Sequence, residues 1–136
     1  MIHVNHPHNY DQGEKNFIAS ANTQTYNLVM DAHIELCDAP RAQDMLLEMD
    51  ATNGVIPPNS ESFSKVIRAW LMDELHHHHY GLPGSSLEKA WQWFDELLKR
   101  ERGEVGLGPA PDLFGHILKT AARTVRNLVL FYSIVL

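Results

Sequence analysis

From residue 22 onward, apolar positions fall at helical spacing. Tyr26, Val29, Met30, His33 and Cys37 recur at i, i+3, i+4, i+7 and i+11, predicting a helix from an Asn22 or Thr23 N-cap to about Leu36. Within it His33 reads as a packed, hydrogen-bonded side chain. Asp38 caps a second helix, with Pro40 in its first turn and Ala42, Met45, Leu46 and Met49 as the inner stripe. Asn53-Gly54 stops it, and Pro57-Pro58 keeps it from resuming. Phe63, Val66, Ile67, Trp70 and Leu71 predict a third helix from Ser60 to about Leu75. Ser85-Ser86-Leu87-Glu88 reads as a capping box opening a fourth, followed by Leu87, Ala90, Trp91, Phe94, Leu97 and Leu98, with an end near Arg102-Gly103. Asp112 is the expected N-cap of a fifth, from Leu113 to about Val125. The remainder, NLVLFYSIVL from Asn127, is apolar, and its β-branched residues are strand-like by propensity.

The helices repeat. Aligning Tyr26, Phe63 and Phe114 puts two aliphatics three and four residues after each aromatic: Val29 and Met30, Val66 and Ile67, Ile117 and Leu118. Ala42 with Met45, Leu46 and Met49 is matched by Ala90 with Trp93, Phe94 and Leu97. Self-similarity at a period in the thirties is the signature of a helical repeat array. The expected fold is therefore all-α, an α-solenoid of antiparallel helix-turn-helix repeats of about two and a half units. The boundaries are residues 22–58, 59–111 and 112–126, after a flexible segment 1–21 and before an apolar tail 127–136.

The first unit resembles a pentatricopeptide repeat. It has an aromatic-Asn opening (Tyr26-Asn27), Ala and Met landmarks in the second helix, and a closing Gly54-Val55-Ile56-Pro57-Pro58-Asn59. The resemblance spans residues 22–122 and weakens from unit to unit; Tyr26 to Phe63 is 37 residues and Phe63 to Phe114 is 51, so the second unit carries an insertion. Cys37 lies at the inter-helix corner, where the family favours a small residue, often Gly.

The resemblance implies that first helices line a face on which single-stranded RNA lies, one unit to one base. It also implies that the residue after the aromatic and the last residue of the unit read that base. Here those are Asn27 with Asn59, then Ser64 with Asp112, for which Ala110 is a rival; Gly115 holds the place in the third unit. By resemblance the Asn-Asn pair favours a pyrimidine and Ser64 with Asp112 a purine. Lys65, Arg68, Lys119 and Arg123 would contact phosphate, positioning the strand without reading it. Asn59 and Asp112 are also good helix N-caps. The resemblance further implies organellar RNA processing, stability or translation, in a mitochondrion or plastid. The alternative is a protein-binding scaffold of the same architecture.

Charge bears on that choice. The net charge of −6 is unusual for a nucleic-acid binder, but its distribution is uneven. Acids are absent from Phe63 to Met72 and from Leu113 to the end, where Lys65, Arg68, Lys119, Arg123 and Arg126 lie. They concentrate instead in the second helices, although in the first unit Asp31 and Glu35 lie on the first helix. A single cysteine excludes an internal disulfide. No apolar run approaches the roughly 18 residues of a membrane span, and no signal peptide or targeting presequence is visible at the start. Missing repeats and caps suggest a fragment.

No phosphate-cradling Gly motif, Gly-x-Ser-x-Gly, His-Glu-x-x-His or Cys-x-x-Cys is present, so neither an enzyme nor a cofactor is expected. His3, His6 and His8 read as part of a solvated tail. His76–His79 read as a loop binding metal opportunistically, with no dedicated metal site.

Overall fold

A computed structural model describes residues 21–76, 83–101 and 111–135. The expectations for the tail with His3, His6 and His8, for His77–His79, for the helix end at Arg102-Gly103 and for Ala110 lie outside the described residues. Those that are described are helical and contain no strand. The helices are α1 (Thr23–Glu35), α2 (Ala39–Ala51), α3 (Ser60–His76), α4 (Ser85–Glu101) and α5 (Pro111–Val135).

The helix ends follow local chemistry. At α1 the Asn22 side chain accepts from Thr25 N at 3.0 Å, and Asn22 N donates to Thr25 Oγ1 at 3.3 Å, which satisfies orphan donors reciprocally. The α1–α2 corner turns at Cys37, which takes a left-handed φ of 55°. Asp38 then caps α2, accepting from Arg41 N at 3.2 Å. Beyond α2, Asn53 and Gly54 take φ of 52° and 91°. The Thr52 hydroxyl donates to Met49 O and accepts from Ile56 N, pinning the same loop. Thr23 Oγ1 donates to Pro57 O at 2.7 Å, tying the start of α1 to the chain entering α3.

Two start signals shift. Ser85 lies inside α4 rather than before it: Gly84 (φ 94°) precedes the helix and its carbonyl accepts from Glu88 N at 2.9 Å. Asp112 falls in the first turn of α5, behind Pro111, which suits a first helical position because its missing N–H would have had no partner there. Asp112 still favours that end through the helix dipole.

The tail differs most. Residues 127–135 continue α5 as helix rather than extending. An isolated strand has no neighbour to satisfy its backbone, whereas each residue added to an existing helix closes a hydrogen bond.

The core runs through all five helices. It joins Met30 of α1, Leu46 and Met49 of α2, Phe63, Val66, Ile67 and Trp70 of α3, Phe94 and Leu97 of α4, and Leu113 and Ile117 of α5. Ala42 and Ala90 are fully buried, small enough to let neighbouring helices approach. The central helix is α3, which packs against all four others; the remaining contacts are α1 with α2 and α4 with α5. Side chains of α2 and α4 are tied through Gln43, whose Oε1 accepts from the indoles of Trp70 (3.0 Å) and Trp93 (2.8 Å). Asp50 and Arg100 tie them again, in a two-pronged ion pair at 2.8 and 2.9 Å. That hydrogen bond with Asp50 is the main reason the Arg100 pKa is raised.

Some expected inward positions face out. Val29 is exposed while Asn27 is buried, and His33 has a buried Nδ1 with no hydrogen-bond partner. In α5 the buried stripe is Leu113, Ile117, Thr120 and Thr124, and the expected Phe114 and Leu118 are exposed. Phe114 stacks on Phe94, with centroids 6.1 Å apart.

Candidate nucleic-acid interface

Asn27 and Asn59 are brought together, 32 residues apart in the chain: Asn27 Nδ2 donates to Asn59 Oδ1 at 3.2 Å. Ser62 completes the cluster. Its hydroxyl donates to Asn27 Oδ1 at 2.7 Å and lies 3.0 Å from Asn59 Oδ1, while Ser62 N donates to that same Oδ1 at 3.0 Å. Asn59 N donates back to Ser62 Oγ at 3.1 Å. Asn59 thus caps α3 and reaches across to α1. Asn27 is 3% exposed, with both ends of its amide engaged, whereas Asn59 is exposed. Any base edge offered to this pair meets Asn59 first.

Ser62 was missed in the sequence. Its signal was the Asn59-x-x-Ser62 spacing of a reciprocal cap.

Ser64 lies half-buried on α3 and Asp112 exposed on α5; among the described residues no hydrogen bond joins them. Lys65 is engaged already, with its Nζ ion-paired to Asp31 and 3.4 Å from Glu61. Arg68, Lys119 and Arg123 are exposed, on the adjacent helices α3 and α5. Arg126, a further exposed cation of α5, joins them. Gly115 sits in the first turns of α5 with open space beside it.

On the α2–α4 side Arg41 pairs with Asp38, Lys99 with Asp95, and Arg100 with both Asp50 and Glu96. A groove of about 400 Å³ there is lined by Gln43, Asp50, Lys89, Gln92, Trp93, Glu96 and Arg100. Arg100 bonds both Asp50 and Glu96, and its guanidinium lies 4.8 Å from the Phe63 ring centroid. Among the described residues no group of three or more His, Cys, Asp or Glu is placed to hold a metal ion. No helix among them is long and apolar enough to cross a membrane.

Comparison with protein-family models finds no match, and comparisons with curated proteins and with solved structures find no similar chain.

Proposed function

We propose that this chain is an α-solenoid segment of the pentatricopeptide type that binds single-stranded RNA. In this reading α1, α3 and α5 are the first helices of successive units and carry the RNA, while α2 and α4 form the outer layer. The observation that carries it is the meeting of Asn27 and Asn59 side by side at the α1–α3 junction, the two positions that the resemblance assigns to one base. Asn59 presents its amide to the base, and Asn27 holds it in place. Arg68, Lys119 and Arg123 hold phosphates; Lys65, tied to Asp31 and Glu61, contributes less. Ser64 with Asp112 would serve the next base. The setting implied is organellar RNA metabolism.

The test is fluorescence anisotropy of short single-stranded RNA against salt. Three phosphate contacts predict a slope of log affinity on log salt of roughly −2, since each contact contributes about −0.7 on single strands. Replacing Arg68 and Lys119 by Ala should flatten it by about 1.4. No binding at low salt, or a slope near zero, refutes the proposal.

A protein-binding scaffold remains the second reading. It is favoured by the exposed apolar side chains Trp91, Leu118, Val125 and Val129.

A further inference from the structure

The fifth helix has two apolar stripes, and the core uses one. Leu113, Ile117, Thr120 and Thr124 face inward. The neighbouring stripe is Leu118, Ala121, Val125, Leu128, Tyr132 and Val135, spaced alternately by three and four residues, with Phe114 preceding it at the same interval. That is the spacing of a coiled-coil seam. From Phe114 to Val135 it runs 22 residues, about 33 Å of helix at 1.5 Å per residue. Four of its side chains, Leu118, Val125, Tyr132 and Val135, are 53 to 63% exposed. The flanking positions Gly115, Ile117, Ala122, Thr124 and Val129 are uncharged, and Lys119, Arg123 and Arg126 lie off the seam.

We propose that this seam is an interface between two copies of the chain, with their α5 helices antiparallel about a two-fold axis between Val125 and Leu128. Antiparallel seams set the two kinds of seam position opposite each other. In this register Val125 faces Leu128 of the second copy, Ala121 faces Tyr132, and Leu118 faces Val135. Two observations select it over a parallel pair. The first is size: the smallest seam residue meets the largest, filling the layer, whereas a parallel pair would set Ala121 on Ala121 and leave a void. The second is charge. All the cations of α5 fall in its first sixteen residues, from Pro111 to Arg126, and none in the rest. Antiparallel pairing keeps Lys119 and Arg123 of the two copies apart along the axis, whereas a parallel pair would align like charges, and the opposed helix dipoles attract.

The shape of the molecule fits as well. Residues 126–135 are exposed at nearly every described position, a helix end with apolar side chains on several sides. Beside the first half of α5 lies a mainly apolar groove of about 330 Å³, lined by Leu87, Trp91, Ile117, Leu118 and Ala121 together with Gly84 and Glu88. Each copy thus offers both a groove and a projecting apolar end. The contact is the same on both sides, so it closes at two.

The test is the mass of the full chain by light scattering at tens of micromolar. The wild type should give twice 15.5 kDa. Val125→Lys would bury an unpaired cation against Leu128 of the other copy and should yield a monomer. Its circular dichroism should be unchanged, because Val125 is exposed in the single chain. Adding Leu128→Glu to Val125→Lys places opposite charges across the axis twice and should restore the dimer. A wild-type monomer, a larger open assembly, a Val125→Lys chain that remains dimeric, or a double variant that stays monomeric would each overturn the proposal. A monomeric wild type would leave the seam to a different protein.

Discussion

Replacing Asn27 by Ala separates holding the fold from reading a base. The substitution removes two hydrogen bonds. The first, from the fully buried Ser62 hydroxyl to Asn27 Oδ1 at 2.7 Å, is worth about 1–1.5 kcal/mol. The second, from Asn27 Nδ2 to the exposed Asn59 at 3.2 Å, is worth about 0.5 kcal/mol because water competes at that end. Ser62 Oγ keeps Asn59 Oδ1 within 3.0 Å, so it is not orphaned and no larger penalty is added. The expected loss is therefore about 2 kcal/mol. For a chain of 136 residues that corresponds to a fall in Tm of roughly 6–10 °C. Urea unfolding followed by circular dichroism measures it. Combining Asn27→Ala with Ser62→Ala in a double-mutant cycle should give a coupling of about 1 kcal/mol. A loss under about 0.5 kcal/mol with no coupling would refute the clamp between α1 and α3, since surface changes alone stay within that range.

Glu74 is buried at the end of α3, where its Oε1 accepts from Gly84 N and lies 3.3 Å from Thr124 Oγ1, joining α4 and α5. Glu74→Ala should cost about 3 kcal/mol in chemical denaturation, and Glu74→Gln, which keeps an acceptor, visibly less. Gly54→Ala should cost about 1 kcal/mol from its φ of 91° alone, because an added Cβ meets nothing within 4 Å. Cys37→Gly should stabilise by up to about 1 kcal/mol by relieving a left-handed residue, read as a rise in urea midpoint. For Arg100, a raised pKa means a stabilising contribution present at every pH below the ordinary guanidinium value and lost only above it. Salt is therefore the practical probe: an Asp50–Arg100 double-mutant cycle should give about 0.5 kcal/mol for this half-exposed pair, shrinking in high salt.

What could be seen in the chain was what local chemistry decides. The Asn22 and Asp38 caps, the Asn53-Gly54 stop and the α3 stripe depend on neighbours within a turn or two, and each stands where the residues indicate. The rest was settled by tertiary contacts. In α5, Leu113 and Phe114 are followed by Ile117 and Leu118, so two adjacent stripes satisfy the helical period equally well. Only packing on α3 and α4 selects the first. Propensity misjudged residues 127–135 because β-branched side chains favour strands only where a neighbouring strand exists. The burial of Asn27 was hidden for a different reason. A polar residue buried by a long-range partner leaves no trace in an apolar pattern, although Asn59-x-x-Ser62 marked where that partner stands.

The proposed base reader is tested most directly by Asn59→Asp, made in these units grafted into a longer array of known register. The three hydrogen-bond partners of Asn59 Oδ1, on Asn27 and Ser62, can all be kept by a carboxylate oxygen. The substitution then changes one atom in effect, the outward amide nitrogen, which becomes a second acceptor. Affinity is measured against RNAs differing at the single base opposite this unit. The expected result is a changed base preference at that position, unchanged preference elsewhere, and a Tm within about 2 °C of the parent, an Asp being as good an N-cap as an Asn. An unchanged preference at that position would contradict the account and leave Asn59 as a helix cap.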